Sequence, residues 1–166
     1  MDTSEKLKTL GNACTDCGAV VAEGKAGCLK LFEEILSGRF SDYRDEKIHR
    51  LTVDAYSLQH PETYMHSGKS FAAHLTGIYA ALNAEDTLAV NQMVQRWLST
   101  NPKIDKPAPL PQHKGNLTVT FIHGAADSDE HINRVLEWAQ EVWNAWFKYH
   151  ALAKQLIEEA TKGSNK

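Results

Sequence analysis

The stretch Ile48-His49-Arg50-Leu51-Thr52-Val53-Asp54-Ala55-Tyr56-Ser57-Leu58-Gln59-His60-Pro61 carries two rows of side chains at once. Ile48, Leu51, Ala55 and Leu58 recur at helical spacing, and His49, Val53, Tyr56 and His60 form a second row beside them. A helix with both rows needs neighbours on two flanks, so it belongs at the middle of a bundle. Pro61 ends it, because the residue before a proline is steered out of the α region.

The flanking sequence supplies those neighbours. Upstream, Cys28 is followed by Leu29, Phe32, Ile35 and Leu36, which predict a helix of roughly three turns closed by Gly38 after which a polar link, 41–46, leads on. Downstream, the polar turn 62–68 precedes one apolar stripe of Phe71, His74, Leu75, Ile78 and Leu82. A weaker helical period over 84–99 ends at Asn101-Pro102. Four of the five prolines lie between Pro102 and Pro111, so 101–116 reads as an extended surface crossover. Residues 117–122 alternate like a short strand but have no evident partner, so a helical turn or an extended segment is the other reading.

Asp127 with Glu130 resembles a capping box, and a three-and-four spacing then runs from Ile132 to Ala160. It predicts one long helix near ~50 Å, whose far end overhangs the bundle or packs on a second copy, giving a homodimer through the C-terminal helix. The expected fold is all-α: a helical bundle of about five helices, with an irregular N-terminal knuckle at 13–27 and a long C-terminal helix. It forms a single domain, 13–166, behind a frayed tail, 1–12.

Composition narrows the function classes. The 166 residues are 42% hydrophobic and 23% charged, which fits one folded domain and excludes a disordered chain. A formal charge of −3 leaves no basic surplus for a nucleic-acid backbone. No apolar run approaches the roughly 20 residues of a membrane span, and the first ten residues lack a signal-peptide core, so the expected location is cytoplasmic. There is no G-x-S-x-G, P-loop, H-E-x-x-H or dinucleotide glycine signature, which leaves standard hydrolase and nucleotide chemistry unsupported.

The three cysteines, Cys14, Cys17 and Cys28, are spaced C-x2-C-x10-C within the first fifth of the chain. An odd, tightly grouped set without a secretory signal points to metal or redox chemistry rather than a disulfide framework. Zinc is the first expectation, since two thiolates two residues apart can reach one ion across a turn, and Gly18 suits that turn. The redox reading of Cys14 and Cys17 wants a helix opening after a strand, a setting that Gly18-Ala19-Val20-Val21 does not offer.

Three sulfurs leave tetrahedral zinc one ligand short. Short links make successive helices antiparallel, which puts Cys28 and the end of the 48–60 helix together and makes His60 the favoured fourth ligand. Capping of helix-end carbonyls is the plain alternative for His60. His66 lies near the same end, and His74, about two turns into its helix, ranks next, with a satisfied core histidine as its simpler reading. A closed Cys3His shell implies a structural metal and a role in binding or assembly, with an unknown protein or small molecule as partner. The rival is a metal-dependent enzyme with His49 or His74 and Tyr56 lining an open site. His49 and His60 lie about 16 Å apart along one helix, too far for one ion. Asp54, four residues after Arg50, reads as an ordinary ion pair. Trp138, Trp143, Trp146, Phe147 and Tyr149 read as large core side chains, with an aromatic-walled pocket as the alternative.

The 49–61 stretch, together with the Cys14-Thr15-Asp16-Cys17-Gly18-Ala19 start, Ser70-Phe71-Ala72-Ala73-His74-Leu75 and Trp138-Ala139-Gln140-Glu141-Val142-Trp143-Asn144-Ala145-Trp146, resembles an uncharacterised bacterial domain-of-unknown-function family. Where that family often has Gly-Cys-Trp this chain has Gly27-Cys28-Leu29, and Thr15 replaces a knuckle proline. The resemblance implies a signature of the cysteines with His49, Asp54, Tyr56, Gln59, His60 and His74, without assigning roles. A weaker likeness, through the His74-Leu75 pair, is to the DinB-like bundles, which hold a metal with three histidines; the later H-x-x-x-H is missing, and only His150 stands in that region.

Overall fold

The computed structural model describes residues 11–38 and 45–165. The expected tail is therefore outside the described residues over 1–10, as is most of the polar link, 41–44. Among the described residues the chain folds as β1 (Asn12–Ala13), β2 (Val20–Val21), α1 (Lys25–Ser37), α2 (Glu46–Gln59), α3 (Pro61–Tyr64), α4 (Gly68–Asn83), α5 (Thr87–Leu98), α6 (Val119–His123), α7 (Ser128–Ala145) and α8 (His150–Ser164). The fold is mostly helical, with eight α-helices among the described residues where about five were expected.

Side chains set the helix starts. Asp45, Asp86 and Asp127 each accept the backbone N–H three residues on, from Ile48, Ala89 and Glu130, and Ser67 with Ser70 closes a capping box on α4. The middle helix is α2, packed between α4 and α7, and Leu51, Ala55, Tyr56, Leu58 and Gln59 are all buried on it. This is the two-flank burial its double row demands. The core continues through Phe71, Leu75 and Ile78 of α4 to Val135, Trp138 and Val142 of α7.

Two expectations are corrected and one open reading is decided. The knuckle is a hairpin rather than an irregular segment: Asn12 pairs with Val21 and Ala13 with Val20, so the ordered chain includes Asn12 and the first helix already starts at Lys25. The 117–122 segment contains the short helix α6, which packs on α1 and α7 and so needs no strand partner. The single long C-terminal helix is broken after Ala145 by a 3-10 turn, Phe147–Tyr149.

The break has a local cause. The Trp146 ring is fully buried, its Nε1–H donating to the Leu58 carbonyl at 3.1 Å, which ties the end of α7 to α2. Beyond it, His150 Nε2–H donates to the Trp143 carbonyl at 2.7 Å, and the His150 ring stacks on the Trp143 indole with centroids 3.8 Å apart. That carbonyl is satisfied without a continuing helix. Redirected there, α8 folds back along α5 and α4 rather than continuing α7 as one straight rod.

Residues 101–118 run without helix or strand between α5 and α6. Tyr149 O–H donates to the Pro109 carbonyl at 2.9 Å, and Gln59 holds the far end of the crossover by donating to the carbonyls of Lys114 and Leu117 at 2.9 and 2.8 Å. The Gln59 side-chain oxygen accepts the Trp138 indole N–H at 3.1 Å, so a fully buried amide is satisfied on both sides.

Candidate metal centre

The hairpin carries two of the sulfurs. Cys14 N–H donates to the Ala19 carbonyl at 2.8 Å and Gly18 N–H to the Cys14 carbonyl at 2.9 Å, which curls Cys14-Thr15-Asp16-Cys17 into a tight turn. Gly18 closes it at φ 80°, the left-handed region that glycine enters without steric cost. Lys25 Nζ pairs with Asp16 Oδ2 at 2.8 Å, and Lys114 Nζ donates to the Asp16 carbonyl at 2.9 Å, so the turn is held from the helix and from the crossover.

The third sulfur comes from the first turn of α1, where Cys28 N–H makes the opening helical bond to Gly24. The hairpin can lie this close to α1 only because Gly27 has no side chain: a Cβ there would sit 1.7 Å from the Ala22 carbonyl oxygen. His60 comes from the junction of α2 and α3, where φ −126° and ψ 55° take it out of both helices, as Pro61 requires.

Four ligand atoms converge. Cys14 Sγ and Cys28 Sγ lie 3.6 and 3.5 Å from His60 Nε2, and Cys17 Sγ lies 3.7 Å from Cys28 Sγ. One ligand atom from each of the four residues falls within 4.8 Å of the others, and Cys14, Cys28 and His60 are buried while Cys17 is half-buried. Metal bonds of about 2.3 Å to sulfur and 2.0–2.1 Å to nitrogen make tetrahedral edges of about 3.5–3.8 Å. The measured contacts have that length, so this Cys3His group could hold a metal ion.

His60 is oriented for the task. Its Nδ1–H donates to the Tyr56 carbonyl at 2.7 Å, which leaves Nε2 as the bare acceptor facing the sulfurs. Its ring stacks on Tyr56 at 3.9 Å, and Tyr56 stacks on Phe32 at 3.8 Å, so α1 and α2 together fix the ring plane. The Tyr56 hydroxyl lies 3.7 Å from Cys28 Sγ. Burial, and then the contact with Cys28, hold the Tyr56 phenol well above its usual range, so it stays a neutral donor.

The Cys17 thiol in turn holds its proton firmly. Cys17 is pushed up to about 12, first by sharing a hydrogen bond with Cys28 and then by burial, while His60 and the Ala19 backbone N–H pull the other way. A divalent ion supplies the positive charge that stabilises the thiolates.

The remaining residues singled out from the sequence lie elsewhere. His49 is exposed on α2 and His66 is exposed before α4. His74 pairs with Asp54, Nδ1 to Oδ1 at 2.9 Å, away from the sulfurs. The expected Arg50–Asp54 ion pair is present through Nε at 3.5 Å, but Asp54 is itself buried and rests on α4, where a Cβ at Gly77 would meet its Oδ2 at 2.1 Å. Burial pushes the Asp54 carboxyl up, and His74 and Arg50 pull it back. Sequence reasoning missed three supports of the site: the lock made by Tyr56, the Asp16–Lys25 pair, and the anchor at Gln59. The glycines at 24 and 27, flanking a helix start, were the available signal for the close hairpin–helix approach.

No helix among the described residues is long and apolar enough to cross a membrane. Comparison with curated proteins gives no match, and neither does comparison with solved structures. A family model does match, over residues 12–147, a span that begins at the first strand of the hairpin and includes all four converging residues as well as the α2–α4–α7 core around them. The chain therefore belongs to the family of unknown function DUF5946.

Proposed function

We propose that this protein binds one zinc ion through Cys14, Cys17, Cys28 and His60, that the metal is structural, and that the clamped hairpin serves binding or assembly rather than catalysis. The observation that carries this reading is the fixed tautomer of His60, whose free Nε2 faces the sulfurs of Cys14 and Cys28 at tetrahedral-edge distances, with the Cys17 sulfur within 4.8 Å. Four protein ligands fill a tetrahedral shell and leave no position for a reacting water. The ion would join the hairpin, α1 and the α2–α3 junction, so its binding energy becomes folding energy.

Metal analysis of protein purified without added metal or chelator, with X-ray absorption at the metal edge, tests the assignment. One zinc per chain with three sulfurs and one nitrogen is expected. A nitrogen- and oxygen-rich shell with bound water would support a metal-dependent enzyme instead, and metal-free folded protein would overturn both readings.

A further inference from the structure

At the opposite end of α2 from His60 lies a cleft of about 590 Å³ between the first turns of α2 and the length of α5. Its size is that of a small-molecule site. The charge around it is the reverse of the chain's: Lys47, Arg50 and Arg96 face it against Asp45 and Glu46, in a protein whose formal charge is −3. One oxygen of Asp45 is already engaged as the helix cap, accepting from Ile48 N–H.

Two side chains give the cleft a built interior. Arg50 is half-buried and tethered from behind, its Nε paired with the buried Asp54 carboxylate at 3.5 Å, while its Nη groups make no hydrogen bond to a described residue. Asp54 is held in turn by His74, so the guanidinium is positioned by a buried pair rather than free on the surface. Asn91, on the cleft wall from α5, is only 8% exposed, and its side-chain amide makes no hydrogen bond to a described residue. A carboxamide that lines a cleft offers two N–H donors and one acceptor oxygen, which a ligand can engage in place of water. Gln95, one turn further along α5, adds a second carboxamide.

We infer that this cleft is a binding site for a small molecule bearing an oxyanion group, which Arg50 and Arg96 receive, and a neutral hydrogen-bonding group, which Asn91 receives. A planar guanidinium held from one side presents its remaining N–H donors in the geometry that carboxylate and phosphate oxygens accept. The site is separate from the cysteine cluster and does not depend on the metal.

The test is amide NMR titration of the full-length protein with succinate in one arm and inorganic phosphate in the other, at constant ionic strength. Saturable shifts centred on Arg50, Asn91 and Arg96 are expected in at least one arm, with a dissociation constant of about 1 mM or tighter, and the responding arm identifies the oxyanion. Arg96→Gln, at an exposed position, should weaken binding about tenfold without altering the fold, a loss of the size expected for one charge-assisted contact. Asn91→Leu removes the carboxamide's donors and acceptor and should also lower affinity about tenfold, whereas an Asn91 that does not meet the ligand would leave the affinity unchanged. Absence of saturable shifts in both arms, or shifts that survive both substitutions unchanged, would overturn the proposal.

Discussion

The hydroxyl of Tyr56 does a job that its ring does not. The ring is held between Phe32 and His60, while the hydroxyl reaches the Cys28 sulfur. Tyr56→Phe should therefore keep the fold and the stacks yet weaken metal affinity by roughly tenfold, the lower end of what loss of a ligand-orienting hydrogen bond costs. Competition with a chromogenic chelator measures it, and an unchanged affinity would remove Tyr56 from the site. The residue was visible in the sequence only as one of a row. Its role needed α1 to be laid across α2, and no spacing within a single helix encodes that. The cysteines were different, because C-x2-C is a local turn whose two sulfurs must emerge together, and His60 followed from the stop that Pro61 imposes on α2. Asp54 and His74 stand 20 residues apart on separate helices, so the sequence displayed only the closer partner, Arg50.

At the scale of elements, the hairpin and α1 are joined through a gap the width of a hydrogen atom at Gly27. Gly27→Ala would drive a methyl into the Ala22 carbonyl, with backbone on both sides and no flexible end to yield. The expected cost is about 2–3 kcal/mol of stability, as for overpacking of a tight core, together with weaker metal binding; chemical denaturation with and without added zinc would show both. The turn between α7 and α8 is held by a single imidazole. His150→Ala removes its bond to the Trp143 carbonyl and its stack on the indole, and should destabilise by about 1–3 kcal/mol, read as a lower denaturation midpoint with an unchanged slope. This bend was illegible in the sequence for a definite reason. Trp143 and His150 are seven residues apart, the interval at which a continuous helix would also place them on one face, so the same letters suit a straight helix and a clamp across a turn.

For the whole molecule, pH acts through the buried imidazole of His131 on α7. Burial holds its pKa below the ordinary value of about 6.5, so the folded chain favours the neutral ring and the unfolded chain takes the proton first. The stabilisation it gives is present above pH ~6.5 and declines as pH falls toward the lowered folded value. Its signature is a stability difference between wild type and His131→Gln that shrinks from pH 7.5 to 5; a difference that stays level or widens would contradict the shift. The architecture as a helical bundle was legible because two-sided burial of α2 requires it, while the way its helices are divided depended on contacts between residues far apart in the chain. That separation has a temporal side. All four converging side chains lie within the first 60 residues, whereas Trp138, which completes the bonding of Gln59 beside them, lies 79 positions further along than Gln59. At a synthesis rate of about 5–20 residues per second, the cysteine–histidine group leaves the ribosome roughly 4–16 s before that indole does. An ion captured in the interval would find a nascent chain whose later half has yet to be made, and would present the arriving helices with a corner already set.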